Sequence, residues 1–447
     1  MAAMPDVDAL AEQFSAFHAR FAHHFYRHEY RDRSAAYLRA LLSPVTRKNG
    51  WQLAEAMGES DPNGTQRLLF GARWDADAVR DTLQQVVMQT FGDPIDGVLV
   101  IDETGFLKKG THSVGVARQY SGTAGKVENC QIGVFLTYTS PRGATFLDRR
   151  LYLPEHWATD AARRAAAKVP ESVTFQTKLQ LARTMLEHAF AHDVQAGWVT
   201  GDSVYGSDRS LRVYLARRRQ PFVLGVRANE RIWRIGADGS RRQRSVAEAA
   251  GEVASADWQR VSAGDGSKGP RWYDWVWLPV AGLRQEAWSH WLLVRRAPSD
   301  PTELAYYLVA GAPTLTLPDA VRVAGLRWTI ESCLEEAKGE TGLDEYEVRH
   351  WHSWHRHITL SMLAHALLAS SRQVANAAAA GSPGGRGIGA AVRSRDGATA
   401  GADPAAPATS CTAGLVVLAT TPPGTRQTCT LPPPHWGRTT ACTYLRL

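Results

Sequence analysis

VLVID at residues 98–102 and GWVTGD at residues 197–202 are the two stretches on which the reading of this chain turns. Each is a run of mostly apolar residues that ends on a carboxylate, Asp102 in one case and Asp202 in the other. A strand apolar on both faces belongs to a sheet covered on both sides, as parallel sheets are. Open α/β sheets take their ligands at the C-terminal edge of such strands. Two carboxylates at that edge, joined by Glu331 from RWTIESCLEEAK (327–338), would make an oxygen-donor set suited to hard divalent cations.

Working outward, SVGVARQYSG (113–122), QIGVFLTYTS (131–140) and TFLDRRLYLP (145–154) are rich in Val, Ile, Tyr, Phe and Leu and are bounded by Gly, Lys and Asn. They read as strands, the first two as a hairpin beside VLVID. A helix over about 175–192, the strand ending at Asp202, a helix over about 208–218 and the strand PFVLGVR (221–227) follow. The order is β-β-β-α-β-α-β, that of an RNase H-like fold, with one strand more before the first helix, and residues 93–227 are expected to form its first part. Residues 228–315 break the pattern with Trp233, Trp258, Trp272, Trp275, Trp277, Trp288 and Trp291 in short alternating segments, which predict an inserted β-rich domain. Helix returns at about residue 318 and carries Glu331, so residues 316–370 complete the α/β core.

The first 92 residues read as helical. Leu10, Phe14, Phe17, Phe21 and Phe25 recur at three- and four-residue spacing among His18, Arg20, His23, His24, Arg27, His28, Arg31 and Arg33, giving an amphipathic stretch with a basic face. Two short helices about the turn Glu59–Gly64 read either as a helix-turn-helix with a long turn or as a cap on the next domain. Residues 371–447 hold seven arginines, no lysine, two acids and three of the five cysteines. Such a tail cannot bury a core and is expected to be disordered. The abrupt change of composition is also what a shifted reading frame in GC-rich DNA produces.

Whole-chain composition excludes several classes. Over 447 residues, 44% are hydrophobic and 21% charged, ordinary for a globular protein, and no apolar run is long enough for a membrane span. With no basic n-region before an apolar segment at the N-terminus, a cytoplasmic protein is expected. Cys130, Cys333, Cys411, Cys429 and Cys442 are odd in number and form no CxxC, against a zinc site or disulfide framework. Fifty-one basic residues against 44 acids, a formal charge of +7, suit a polyanionic partner without specifying one.

Chemistry enters around Glu331. Arg327, Glu331 and Lys338 stand at i, i+4 and i+11, one face of a helix, and put a metal ligand between two cations suited to phosphate. The plain alternative is an exposed Arg–Glu pair. Lys108 and Lys109 in the turn after Asp102, with Arg118 and Lys126 near the next strand, are candidate phosphate contacts. Glu103 should face away from Asp102 across the strand. Tyr205 in DSVYG should shape the loop of Asp202 by packing. His350, His352, His355 and His357 in RHWHSWHRH read as a basic helix face toward DNA rather than as a zinc site. An aspartyl phosphatase would carry a second Asp at position 104, which is threonine.

These blocks resemble the DDE transposases of bacterial insertion sequences, in particular a group with a Tyr-Arg-Glu-Lys signature and a β-rich insertion before its glutamate. The residues that carry the resemblance are IDETGFLKKGTHSVGVARQYSGTAGKVENCQIGVFL (101–136), LDRRLYLPEHW (147–157), WVTGDSVYG (198–206) and the segment 326–368, with Ala324 where the group has tyrosine. The resemblance covers about residues 35–370. It implies that Asp102, Asp202 and Glu331 hold two Mg²⁺ ions, with Mn²⁺ as a substitute, and that Arg327, Lys338, Lys108, Lys109, Arg118 and Lys126 grip DNA. The helical N-terminus would bind DNA as well. The implied partners are the terminal inverted repeats of an element and its target DNA, met by a homodimer or higher assembly, with no membrane and with nucleoid association when DNA is bound. Loss of catalysis with retention of DNA binding is the alternative.

Overall fold

The computed structural model describes residues 7–381, apart from 237, 267–268 and 283–287. Five helices come first: α1 (Val7–Ala19), α2 (His28–Leu42), α3 (Gly50–Ala56), α4 (Asn63–Phe70) and α5 (Ala76–Phe91). Asn49 and Asp75 start α3 and α5 by accepting hydrogen bonds from free backbone N–H groups of the first turn. Residues 57–62 separate α3 from α4, longer than the usual helix-turn-helix turn.

The α/β body begins with β1 (Asp93–Leu107), β2 (Ala117–Ser121), β3 (Lys126–Ser140) and β4 (Gly143–Tyr152). Two short helices, α6 (Glu155–Ala158) and α7 (Ala161–Ala166), lead to α8 (Lys178–Ala191), which opens on a Thr177–Gln180 capping box. Then come β5 (Ala196–Gly201), α9 (Ser203–Gly206), α10 (Arg209–Arg217) and β6 (Phe222–Val226). β3 and β4 pair antiparallel, as do β1 and β3, whereas β5 runs parallel to β1 and β6 parallel to β5. The hairpin of β2 and β3 is present, although β2 is only five residues long.

Residues 231–311 supply β7 (Arg231–Ile235), β8 (Arg241–Ser245), α11 (Val246–Gly251), β9 (Gln259–Gly266), β10 (Gly269–Val280), β11 (Ser289–Arg296) and β12 (Leu304–Gly311). These strands do not form a detached sheet. β12 pairs antiparallel with β6 from Tyr306↔Val226 to Ala310↔Phe222, so one mixed sheet of twelve strands runs β2-β3-β1-β5-β6-β12-β11-β10-β7-β8, with β4 on β3 and β9 on β10. One face of the added strands has a small core of its own, built from Ile232, Val246, Ala249, Val276, Leu292 and Val294. The other face joins the main core through Trp275, Trp291, Leu293 and Val309. Trp277 stacks on Trp291 with ring centroids 4.7 Å apart. Trp233 and Trp272 are about half exposed.

Three helices finish the described chain: α12 (Leu317–Leu326), α13 (Trp328–Thr341) and α14 (Trp351–Gly381). The expected single helix through residue 338 is therefore two, joined at Arg327. Gly342 ends α13 with φ 63°, a left-handed C-cap that glycine adopts without strain. α14 continues through residues 371–381 of the expected tail, and residues 382–447 lie outside the described residues. Ile358, Leu360, Met362, Leu363, Ala364 and Ala366 of α14 are all buried, because α1, α2, α4, α5 and α13 pack around it. The N-terminal helices therefore share one continuous core with the sheet.

This packing corrects the reading of the histidine run. His355 and His357 are buried, His357 between the Tyr37 hydroxyl and the Gly342 carbonyl oxygen at 2.9 Å each. Burial pushes their imidazoles down, to about 3 and about 4, so they are neutral core groups and not a cationic face.

Candidate active site

Parallel pairing of β1 with β5 ends at Ile101↔Gly201, and Asp102 and Asp202 are the next residues on the two strands. β5 stops there, whereas β1 runs on to Leu107 against β3, so Asp102 lies within a strand and not at its end as the sequence suggests. What ends beside Asp102 is its neighbour β5, while Asp102 stays paired with β3 and largely enclosed.

Asp202 caps α9, accepting from the Val204 N–H at 2.9 Å and the Tyr205 N–H at 3.4 Å. α9 lies close on β6: a Cβ added at Gly206 would stand 1.8 Å from the Gly225 carbonyl oxygen, so only glycine permits the approach. Asp102 Oδ1 accepts from the Glu103 N–H at 2.8 Å. Burial, then the nearby Asp202 charge, push the Asp102 carboxyl up to about 7, against the opposing effects of the Glu103 N–H and Arg327. Asp202 is also raised, first by burial, with its two backbone N–H donors working against the shift. Two acids held above the usual carboxylate range, chiefly by burial, mark a candidate functional site.

Alternation along β1 sends Asp102 and Thr104 toward α13 and Glu103 to the opposite face, as expected. Arg327 Nη2 lies 2.8 Å from Glu331 Oε1, and Nη1 lies 3.9 Å from Asp102 Oδ2. The Arg–Glu pair thus reaches Asp102 and is not a detached surface pair. Lys338, further along the same helix face, donates to Thr104 Oγ1 at 2.7 Å and Thr123 Oγ1 at 3.2 Å. Glu331 approaches Asp102 through the shared guanidinium of Arg327. The three carboxylates do not all lie within 4.8 Å of one another; among the described residues only Asp81, His188 and His192 bring ligand atoms that close.

The other cations divide. Lys108 turns inward, donating to the Tyr346 carbonyl oxygen at 3.0 Å and lying 3.5 Å from the centre of the Tyr346 ring. Burial pushes its amine down to about 8. Lys109, Arg118 and Lys126 are exposed around β2 and the adjoining strand ends, Lys126 paired with Glu128 at 2.9 Å. On the far side of β1, the Glu103 carboxylate accepts from both Lys178 Nζ and the buried Tyr205 hydroxyl. That ties the strand bearing Asp102 to the turn bearing Asp202. Packing by Tyr205 was legible in DSVYG; its hydrogen bond to Glu103 and the part of Lys178 carried no local signal.

A mixed sheet with adjacent aspartates at the end of its parallel pair, faced by a helix that opens on an arginine and bears a glutamate, defines an α/β protein with an acidic site. The chain belongs to the DDE superfamily endonucleases, whose family model matches residues 20–270, a span that includes both aspartates and ends before Glu331. It is similar to a protein of Microchaete diplosiphon described as a probable transposase for insertion sequence element IS701, with 24% identity over 315 residues, 69% of this chain and 75% of that one. Among solved structures it matches the piggyBac transposase synaptic complex with hairpin DNA at 10% identity, TM-score 0.38, covering 84% of this chain and 77% of that one.

Proposed function

We propose that this protein is an insertion-sequence DNA transposase that cuts element ends and joins them to target DNA. Its core is read as RNase H-like, with strands β4-β3-β1-β5-β6 in order, residues 228–315 inserted before the glutamate-bearing helix, and the segment up to residue 92 as a DNA-binding region. One observation carries the proposal: Asp102 and Asp202 leave the last parallel pair Ile101↔Gly201 side by side, with Arg327 linking Asp102 to Glu331.

Asp102, Asp202 and Glu331 would hold two Mg²⁺ ions, or Mn²⁺ in their place. The donor set fits: all three are carboxylates, which hard dications prefer, and burial holds the two aspartates above the usual carboxylate range. When bound, such a pair activates the attacking oxygen of a phosphodiester displacement and stabilises the leaving one. The protein's own residues supply the rest. Glu103, Lys178 and Tyr205 hold the two aspartate-bearing segments in register. Arg327 and Lys338 stand on the helix face beside the acidic site, where a DNA phosphate would be met. Lys109, Arg118 and Lys126 offer exposed charge to the backbone further out. Joining two DNA ends calls for a dimer or larger assembly on DNA.

The test is cleavage of a duplex carrying the element's terminal inverted repeats in Mg²⁺ or Mn²⁺. Wild type should nick the ends and Asp202→Asn should not, while both bind with salt-dependent affinity. Binding without nicking by either protein would instead identify a DNA-binding derivative that has lost catalysis.

A further inference from the structure

We propose that Asp81, His188 and His192 form a separate metal site that takes a borderline transition-metal dication such as Zn²⁺ and clasps α5 to the C-terminus of α8. The site is independent of the transposase reading, and its donors differ in kind from those of the acidic site. One carboxylate and two imidazoles suit zinc, nickel or copper, whereas Mg²⁺ prefers oxygen alone.

The ligand atoms of the three residues lie within 4.8 Å of one another. His188 Nε2 is 3.3 Å from Asp81 Oδ1, and His192 Nε2 is 4.0 Å from Asp81 Oδ2. The two imidazoles, four residues apart, stack with centroids 3.9 Å apart and planes within 19°. Both Nε2 atoms therefore face the same carboxylate.

Two of the ligands already have the outer partner that metal ligands use for orientation. His192 Nδ1 lies 2.9 Å from the His188 carbonyl oxygen, which takes its proton and leaves the Nε2 lone pair free. Arg80 Nε donates to Asp81 Oδ1 at 2.6 Å, which leaves Oδ2 to the metal. His192 also caps the end of α8, whose terminal carbonyls favour positive charge.

Arg80 is the competitor. Its Nη2 sits 3.2 Å from His188 Nε2, where a metal would bind. Its other donors are held by Asp148 and Asp81 at shorter range, so the contact with His188 is the one a metal displaces. Asp77 and Asp148 flank the guanidinium and offset part of its charge.

The experiment is calorimetric titration of metal-stripped full-length protein with ZnCl₂ in excess Mg²⁺, comparing wild type, His192→Ala, His192→Gln and Asp102→Asn. His192 is partly exposed, so its variants should fold, which circular dichroism checks. Loss of a second-sphere partner alone costs metal sites about 10–100-fold in affinity, so removal of a ligand should cost the His192 variants at least that much, or one whole equivalent. Asp102→Asn should bind Zn²⁺ as wild type does. Zn²⁺ should raise the melting temperature of wild type but not of the His192 variants. Equal Zn²⁺ affinity and stoichiometry in wild type and both His192 variants would overturn the assignment, and so would loss of the equivalent in Asp102→Asn.

Discussion

Asp102 keeps its proton to about pH 7 because it is enclosed and Asp202 is its neighbour. An unfolded aspartate titrates near ~3.9. Between those values the folded chain binds more protons than the unfolded one, so stability falls as pH rises from about 4 to about 7 and then levels off. Asp102→Asn removes that penalty. In chelator the variant should be more stable than wild type at pH 8, by on the order of 2 kcal/mol once the partial exposure of the carboxylate is allowed for. The gap should close toward pH 4, and thermal melts across that range measure it. Millimolar Mg²⁺ should raise the wild-type melting temperature and leave the variant nearly unchanged. A wild type as stable as Asp102→Asn at pH 8 in chelator would show that the carboxyl is not held high.

The four-residue helix α9 joins both aspartate segments, because Asp202 caps it, Tyr205 reaches Glu103 beneath Asp102, and Gly206 sits against β6. Tyr205→Phe deletes one hydrogen bond to a charged acceptor and should cost about 1.5–3 kcal/mol in denaturant unfolding. Gly206→Ala forces α9 off β6 and should abolish cleavage while DNA affinity stays within a few-fold, whereas equal loss of both would point to global unfolding. How far the sequence could be read varies at this scale. The runs ending at Asp102 and Asp202 were legible because burial on both faces writes itself as mostly apolar sequence. The continuation of β1 through Thr104, Gly105 and Phe106 was not, since it is held by pairing with β3 and by packing of Phe106 on Tyr346 and Trp354. His355 and His357 misled because residue type suggested a charged face, and what neutralises them is tertiary packing, of α2 through Tyr37 on His357 and of β4 and α5 along α14. Spacing put Arg327, Glu331 and Lys338 on one face, but only the tertiary fold could turn that face toward β1.

Across the whole molecule, the tryptophan-rich segment announces itself as β-structure yet gives no sign of where it attaches. Alternation fixes which residues face inward, not which edge a strand joins. β6 would otherwise present an open edge, a liability in any sheet. β12 covers it through five consecutive pairs, and Tyr307, Val309, Trp275 and Trp291 carry the main core beneath the added strands. A segment bound to the core by both backbone pairing and continuous packing should unfold with it, not ahead of it. Pulse proteolysis in urea, following cleavage within residues 231–311 and within residues 93–226 separately, should therefore give one midpoint. Val309→Ala, within the junction and 1% exposed, should move both to lower urea together, by roughly 1–3 kcal/mol. Loss of protection in the added strands at lower urea than in the core would mean that the seam between β6 and β12 is a boundary between two cooperative units.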